Sequence, residues 1–485
     1  MQDILKMDEI AKKQHPAPNM VTFYHDIEQD IDSEAEPEKC RAIVKKYLEL
    51  EKKYNVPATY NVVGKLFKEQ PDLIGWILDA SQEIAFHSYN HQSDWQSKYF
   101  TSEIGLCRNT SQSVKGYRSP QSLWNHATLK SLYKKGFLWN AEVDAHKEPY
   151  FIYKGLVRLP IADDDWGLHK EGVDVDRWVR QFSRLLKTRH YFGFGTHDSV
   201  TSFAPEEMLK AYERILQIAV ENKALLVTFS EAADLFRRAS VSRFYSKTAK
   251  SWNVGAKGIG LTKNLQKRVR AEAEKLQHPV VADLGSGGGL LSSPLKDIAK
   301  KVYCVDNAPG MVSDVRSGDN VEARFGEVTD SNLPDNSCDM VICSRIIEYL
   351  LFRDHLADEI KRIGKIGATY FITFPVLHEN IPPHGGSPPR RIRHYFTSDE
   401  IQEWTKQIGP GQLVRDKDDW IFVGKIEKEY SQNHHKRTIP MSAFRFRFPS
   451  PHYHRIKSYL EIYVDNIGRR FPKSVQRLGK LVLSR

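Results

Sequence analysis

The sequence predicts an α/β protein of two domains followed by a basic, helical tail. Three observations carry this expectation. Over residues 20–235 short apolar runs alternate with helix-length amphipathic runs. Near residue 280 a second such pattern opens on a buried run entering a glycine-rich turn, and after residue 430 the composition turns basic and aromatic. At 485 residues the chain exceeds one ordinary core, so two domains and an extension are expected.

In order, "NMVTFYHDI", "PATYNVVG" and "EIAFHS" read as short strands, and "CRAIVKKYLELEKKY" has helical periodicity. The alternation recurs through "YFGFGTHDS" and "ALLVTFSEAADLF". Repeated βα units imply a parallel sheet or barrel with its functional residues at strand ends. The run "RRASVSRFYSKTAKSWNVGAKGIG" breaks the pattern and places a boundary near residue 240. The expected domains are 1–238 and 239–430, with a tail at 431–485.

Composition excludes several classes. Hydrophobic residues at 40% and charged residues at 27% describe a globular chain, neither disordered nor membrane-spanning. No run approaches the roughly 20 apolar residues of a membrane helix. The start, "MQDILKMDEIAKKQHP", lacks an apolar core, so no signal peptide is expected. Cys40, Cys107, Cys304, Cys338 and Cys343 are odd in number, without a CxxC pair, which excludes a disulfide framework and a structural zinc site. A reducing cytoplasm is the expected compartment. The formal charge of +10 lies wholly in residues 431–485, where 12 Lys and Arg face two acids, Glu461 and Asp465. The folded domains are neutral.

Within the first domain, His87 and His91 in "FHSYNHQSDW" stand four positions apart. They share one face if the segment turns helical after "EIAF". With one carboxylate from another strand end they would form a His₂Asp set for a divalent ion that keeps an open position. The order "TFYHDIE", "HSYNH", "GYRSP", "DDDW", "FGTHDS" resembles the polysaccharide deacetylase family, the NodB-homology or carbohydrate esterase family 4 enzymes, over roughly residues 20–235. The resemblance implies a distorted (β/α)₇ barrel and metal-dependent removal of acyl groups from sugars, with zinc the expected ion.

By the same resemblance His87 and His91 are metal ligands, Arg118 holds the catalytic base, and Trp166 walls the groove beside an acid of Asp163–Asp165, taken as Asp165. His197 is the general acid, preceded by Gly195-Thr196 where the family has Leu-x. The family's TFDDG is here Thr22-Phe23-Tyr24-His25-Asp26-Ile27-Glu28. Two readings follow. Either Asp26 is the metal ligand and His25 the base, or, as in relatives reading D-x-E, Asp26 stands at the base position and Glu28 contributes. A histidine base has suitable chemistry, since its unperturbed pKa lies near neutrality.

The second domain opens with "VVADLGSGGG". GxGxxG fails because its third position is Leu290, and no Gly-Lys-Ser/Thr follows. The pattern is D-x-G-x-G-x-G: Asp283, Gly285, Gly287, Gly289. Asp306 ends the next apolar run, where an acid suits a ribose diol. This resembles the class I S-adenosylmethionine-dependent methyltransferases over roughly residues 250–428, a Rossmann-like fold. The resemblance implies that Asp283 and the glycines embrace the methionine end of S-adenosylmethionine, Asp306 binds the ribose, and Glu327 with Val328 lies beside the adenine. Relatives often carry Glu-His where this chain has Glu348-Tyr349. Thr397 and Glu400 fit a capping box. The loop "HENIPPHGGSPPRR", residues 378–391 with His378, His384 and Arg390, stands where an acceptor loop belongs.

Two amphipathic helices with basic faces are expected in the tail, over Ile456–Ile467 and Phe471–Val482. Their partner is an anionic membrane surface or glycolipid, the protein's own domains, or RNA, the last disfavoured by the neutral domains. Together these readings predict a bifunctional cytoplasmic enzyme, peripheral to the inner membrane face, of surface-glycan or glycolipid synthesis such as lipopolysaccharide. The alternative is a methyltransferase carrying a catalytically silent glycan-binding barrel.

Overall fold

The computed structural model describes residues 19–29, 36–91, 97–171, 174–258, 260–315, 318–376, 389, 392–416, 419–427, 439–444, 446 and 448. The two expected tail helices, and the loop 378–391 apart from Pro389, lie outside the described residues. Two compact units divide between residues 233 and 234, inside the helix Phe229–Gly258.

The first unit contains β1 (Met20–Ile27), β2 (Ala58–Val62), β3 (Glu83–Phe86), β4 (Gly116–Tyr117), β5 (Trp139–Val143), β6 (Tyr150–Tyr153), β7 (Leu156–Asp164), β8 (Tyr191–His197) and β9 (Leu225–Leu226). The parallel path runs β2-β3-β4-β5-β7-β8-β1, and β1 also pairs with β2 in parallel, so seven strands close on themselves. β6 lies antiparallel to β7, and β9 pairs with the start of β1. This is the expected (β/α)₇ barrel. All eight residues of β1 are buried, as a strand covered on both faces requires.

Helices cover the barrel through apolar stripes. In Pro37–Tyr54 the buried set Cys40, Ile43, Val44, Tyr47, Leu48 and Glu51 recurs at helical spacing. That helix begins with Pro in its first turn and ends at Asn55, whose left-handed φ of 53° returns its N–H to the carbonyl of Glu51 or Lys52.

β1 makes the decisive pairings. Asp26 lies in register with Asn61 of β2 and His197 of β8. Tyr24 lies in register with Gly195, and a Cβ placed at Gly195 would come within 2.1 Å of the Tyr24 ring. The bare backbone at 195 and the tyrosine at 24 therefore form a complementary pair.

The second unit holds β10 (Val280–Leu284), β11 (Lys301–Asp306), β12 (Val321–Phe325), β13 (Cys338–Ser344), β14 (Gly364–Pro375), β15 (Gly411–Asp416) and β16 (Asp419–Lys425). Their order is β12-β11-β10-β13-β14-β16-β15, parallel through β14, with β16 antiparallel to both neighbours. This is the expected Rossmann-like sheet. Alternate residues feed cores on its two faces: Ala282 and Leu284 with Val341 and Cys343 on one, Val281 with Met340 and Ile342 on the other. Thr397 and Glu400 form the expected capping box at the helix Ser398–Thr405. All five cysteines are buried and none is in a disulfide. Among the described residues no helix is long and apolar enough to cross a membrane.

Gly195→Leu, which restores the family's residue type, should destabilise the first unit by about 3 kcal/mol or more through overpacking against Tyr24. Combined with Tyr24→Ala it should cost less than the sum of the two single changes. Urea unfolding of the four proteins measures this, and strict additivity would refute the coupling.

Candidate functional site

At the carboxyl ends of the barrel strands, β1 sends Tyr24 and Asp26 to one face and His25 to the other, as period-two alternation dictates. Asp26 is fully buried and both its oxygens are engaged. Asn61 Nδ2 donates to Oδ1 at 2.7 Å, and Arg118 Nε donates to Oδ2 at 2.6 Å. Burial raises the Asp26 carboxyl, but Arg118, His87 and His197 outweigh it and hold the pKa below the usual range.

Glu28, two residues on, is the acid that meets the histidines. Its Oε1 stands 3.3 Å from His87 Nε2 and 3.1 Å from His91 Nε2. The His87 Nδ1–H donates to the carbonyl of Arg118 at 3.1 Å, which turns Nε2 toward Glu28. Burial raises Glu28, and the hydrogen bonds from His87 and His91 more than reverse this, holding it well below the carboxylate range. Ligand atoms of Glu28, His87 and His91 all lie within 4.8 Å of one another. Ligands about 2.1 Å from a tetrahedral ion stand about 3.4 Å apart, so this trio fits a divalent metal.

His87 and His91 do not share a helical face as the spacing suggested. Residues 87–91 form a loop in which Ser88 (φ 58°) and His91 (φ 55°) are left-handed. The loop is pinned by Glu103, which accepts from the Tyr89 N–H (3.0 Å), the Asn90 N–H (2.6 Å) and Asn90 Nδ2 (2.8 Å). The His91 N–H donates to Ser88 Oγ at 2.8 Å.

Two assignments of the first reading are corrected by this geometry. Asp26 stands apart from the histidine pair, its oxygens engaged by Asn61 and Arg118 and its nearest approach to His87 3.9 Å, while its ligand atoms group with those of Glu28 and His197 within 4.8 Å. His25 does not enter the cleft at all. Its Nδ1 lies 2.6 Å from Thr196 Oγ1 and its Nε2 2.5 Å from Glu51 Oε1, under the stacked ring of Tyr47. In the coordinates Asp26 lies beside Arg118, and Glu28 lies beside the two histidines.

The opposite wall comes from β7 and β8. His197 Nδ1 donates to Asp165 Oδ1 at 2.6 Å, and its backbone N–H also points to that carboxylate. His197 Nε2 then faces Asp26 Oδ2 at 3.4 Å. Burial lowers the His197 pKa, but Asp165 overrides it and the imidazole is held well above its usual value. Trp166 packs beside the His197 ring, 5.5 Å between centroids. Sequence reasoning missed Asn61, Glu103 and the Arg118 partners Ser122 (2.9 Å) and Glu142 (3.6 Å). Polar residues at strand ends carry no spacing signal of their own.

In the second unit a cavity lies where strand order reverses between β10 and β13, the place an open α/β sheet offers a ligand. Asp283, Gly285, Gly287, Asp306, Glu327 and Val328 line it, and Gly289 does not. Gly285 has φ 75°, and a Cβ there would strike Ile346 at 2.3 Å, so the turn admits only glycine. Asp306 accepts from the N–H groups of Gly287 and Ala308, each at 2.8 Å. Asp283 Oδ2 is buried without a hydrogen-bond partner, as expected of a carboxylate awaiting a cationic ligand group. Burial and the nearby Asp306 push Asp283 up to about 7, although a hydrogen bond with Ser292 opposes them. Glu327 is engaged by Asn307 Nδ2 (3.2 Å), Arg238 (3.1 Å) and the N–H of Met441 (3.2 Å), partners that sequence reasoning did not find.

Residues 30–138 match the family model for polysaccharide deacetylases, and residues 282–372 match one described as a methyltransferase domain. A peptidoglycan deacetylase of Helicobacter pylori is 23% identical over 154 residues, 30% of this chain. The match spans half the length of that enzyme. A family 4 carbohydrate esterase from Streptomyces lividans, solved with acetate, is 18% identical with a TM-score of 0.31, covering 43% of this chain and 92% of the esterase. A SAM-dependent methyltransferase from Aquifex aeolicus is 22% identical with a TM-score of 0.29, covering 33% of this chain and 89% of its own. The chain thus joins an N-terminal polysaccharide deacetylase domain to a C-terminal methyltransferase domain.

Proposed function

We propose that the protein is a bifunctional enzyme of surface-glycan or glycolipid synthesis, removing an acyl group from an amino sugar and transferring a methyl group from S-adenosylmethionine. The observation that carries the first activity is the convergence of Glu28, His87 and His91, with Asp26–Arg118 on one side and His197–Asp165 on the other. A divalent ion held by Glu28, His87 and His91 supplies Lewis acidity toward an acyl carbonyl and a water molecule. Asp26, kept ionised by Arg118, takes the proton of the attacking water. His197, kept protonated by Asp165, gives a proton to the departing amine. Trp166 shields that side of the cleft. The likeness to a peptidoglycan deacetylase supports an N-acylated sugar polymer or its precursor as substrate.

For the second activity the support is the glycine turn with Asp283 and Asp306 at the ends of β10 and β11. Asp283 suits the ammonium of the methionine moiety and Asp306 the ribose diol. The basic composition of residues 431–485 favours contact with an anionic lipid surface, as a lipid-linked substrate would require.

Purified protein should carry about one divalent ion per chain by elemental analysis. Glu28→Gln or His91→Ala should lose the ion. Asp26→Asn should keep it while deacetylation of chitooligosaccharides falls by about 100-fold or more. Loss of metal in Asp26→Asn, or retention in Glu28→Gln, would overturn the assignment of the two acids.

Affinity for S-adenosylhomocysteine should depend on pH through Asp283. The group has a pKa of about 7 in the empty pocket, and the ligand's ammonium favours the carboxylate. Binding is therefore undiminished above that value and weakens below it, by about tenfold between pH 8 and pH 6. Asp283→Asn should flatten the dependence. Calorimetric titrations at several pH values decide this, and a slope of opposite sign would refute the role.

A further inference from the structure

His197 and Asp198 stand side by side at the end of β8 and serve different parts of the cleft. The last in-register pair between β1 and β8 is Asp26 with His197. Beyond it β8 turns into the helical segment Asp198–Phe203, so its backbone leaves the ladder just before Glu28 follows on β1. That segment is tied to the helix Pro37–Tyr54, whose Tyr47 hydroxyl donates to Thr201 Oγ1 at 2.6 Å.

The Asp198 side chain stands in for the backbone acceptor that β8 no longer offers. It is fully buried, and its Oδ1 accepts the Glu28 N–H at 3.0 Å as well as the Ser199 N–H at 2.8 Å. Its Oδ2 faces the Gln29 N–H at 3.4 Å and Gln29 Nε2 at 3.5 Å. Gln29 has a left-handed φ of 55°, unfavourable for a residue with a Cβ, and its Oε1 accepts from Gln70 Nε2 at 3.0 Å. A carboxylate that opens a helical turn needs only the N–H groups of that turn. This one reaches across to a second strand and fixes the two residues that follow it.

One of those two is the acid of the histidine cluster. Glu28 points Oε1 at His87 and His91, 3.3 and 3.1 Å away, while Oε2 faces Ser199 Oγ at 3.5 Å. Consecutive residues, Asp198 and Ser199, thus meet the backbone and the carboxylate of Glu28. Several torsions separate a glutamate's oxygens from its backbone, so the oxygens keep one position only where the backbone beneath them is anchored.

Resting on the reading of Glu28, His87 and His91 as the holders of a divalent ion, we propose that Asp198 is a positioning residue of that site, with Ser199 its second contact. Asp198 sets the backbone from which Glu28 reaches the ion. Ser199 takes the outer oxygen and leaves the other for the metal. The run 197–199 then joins both halves of the chemistry: His197 gives the proton, and the next two residues hold the ligand.

Zinc affinity of the full chain, stripped of metal and titrated against a chromophoric chelator, tests this together with the visible spectrum of the cobalt(II)-loaded protein. Asp198→Ala should weaken zinc binding by about 10- to 100-fold and alter the cobalt spectrum, because Glu28 loses its anchor. Asp198→Asn, which keeps an oxygen for the Glu28 N–H, should recover most of that loss. Ser199→Ala, whose contact is longer, should weaken zinc binding less and still shift the cobalt spectrum. Parental zinc affinity and cobalt spectrum in Asp198→Ala would overturn the inference, whatever its melting temperature, as would equal losses in Asp198→Asn and Asp198→Ala. If Asp198→Ala does not fold, an unshifted cobalt spectrum in Ser199→Ala overturns it. A parent chain that takes up neither metal removes the metal reading itself, and this one with it.

Discussion

The parallel pairing of β1 between β2 and β8 is the constraint on which the first site depends. Because successive side chains alternate across a strand, fixing Asp26 opposite Asn61 and His197 decides which neighbours reach the cleft. His25 must then face the helical layer, where Glu51 and Thr196 receive it. Glu28, just past the strand's end, falls on the cleft side again and meets His87 and His91. A slip of one residue would exchange His25 for Asp26 and empty the site of its acid. The closed barrel forbids that slip, since both edges of β1 are paired.

Charge balance distinguishes the surroundings of the two acids. Arg118 is buried and surrounded by Asp26 at 2.6 Å, Glu142 at 3.6 Å and Asp164 at 3.6 Å. One guanidinium thus serves three carboxylates and has nothing left for Glu28. His197 is likewise committed to Asp165. An unpaired buried carboxylate is costly, so Glu28 depends on the two imidazoles beside it, to which an ion would add on the proposed reading. Asp26 already has its cation, and a second would compete with Arg118 for the same oxygen.

Much of this organisation could be read from the sequence because period and punctuation are local. The apolar runs became strands, the stripe in 37–54 became a buried helix face, and D-x-G-x-G-x-G became a glycine turn over a cavity. What failed was geometry that depends on loops. The interval between His87 and His91 suggested a helix, yet Ser88 and His91 adopt left-handed angles that Glu103 holds from another element. The sequence leaves the choice between Asp26 and Glu28 open for the same reason: it turns on where Arg118 lands, which no local pattern records. Asn61, Arg238 and Tyr245 gave no signal because a single polar residue on a regular element looks like any solvated one.

The two domains solve opposite problems with water, and their charges follow. Hydrolysis needs a water molecule beside a base that stays ionised, a part that Asp26, lowered by Arg118, would play on the proposed reading. Methyl transfer needs no water and gains from its absence, since attraction between a sulfonium and an anion strengthens as the dielectric falls. Burial raises Asp283 and Asp306 in the second cavity, to about 7 and about 6, so its acids are costly until a cation arrives. On the proposed reading, S-adenosylmethionine would bring that cation.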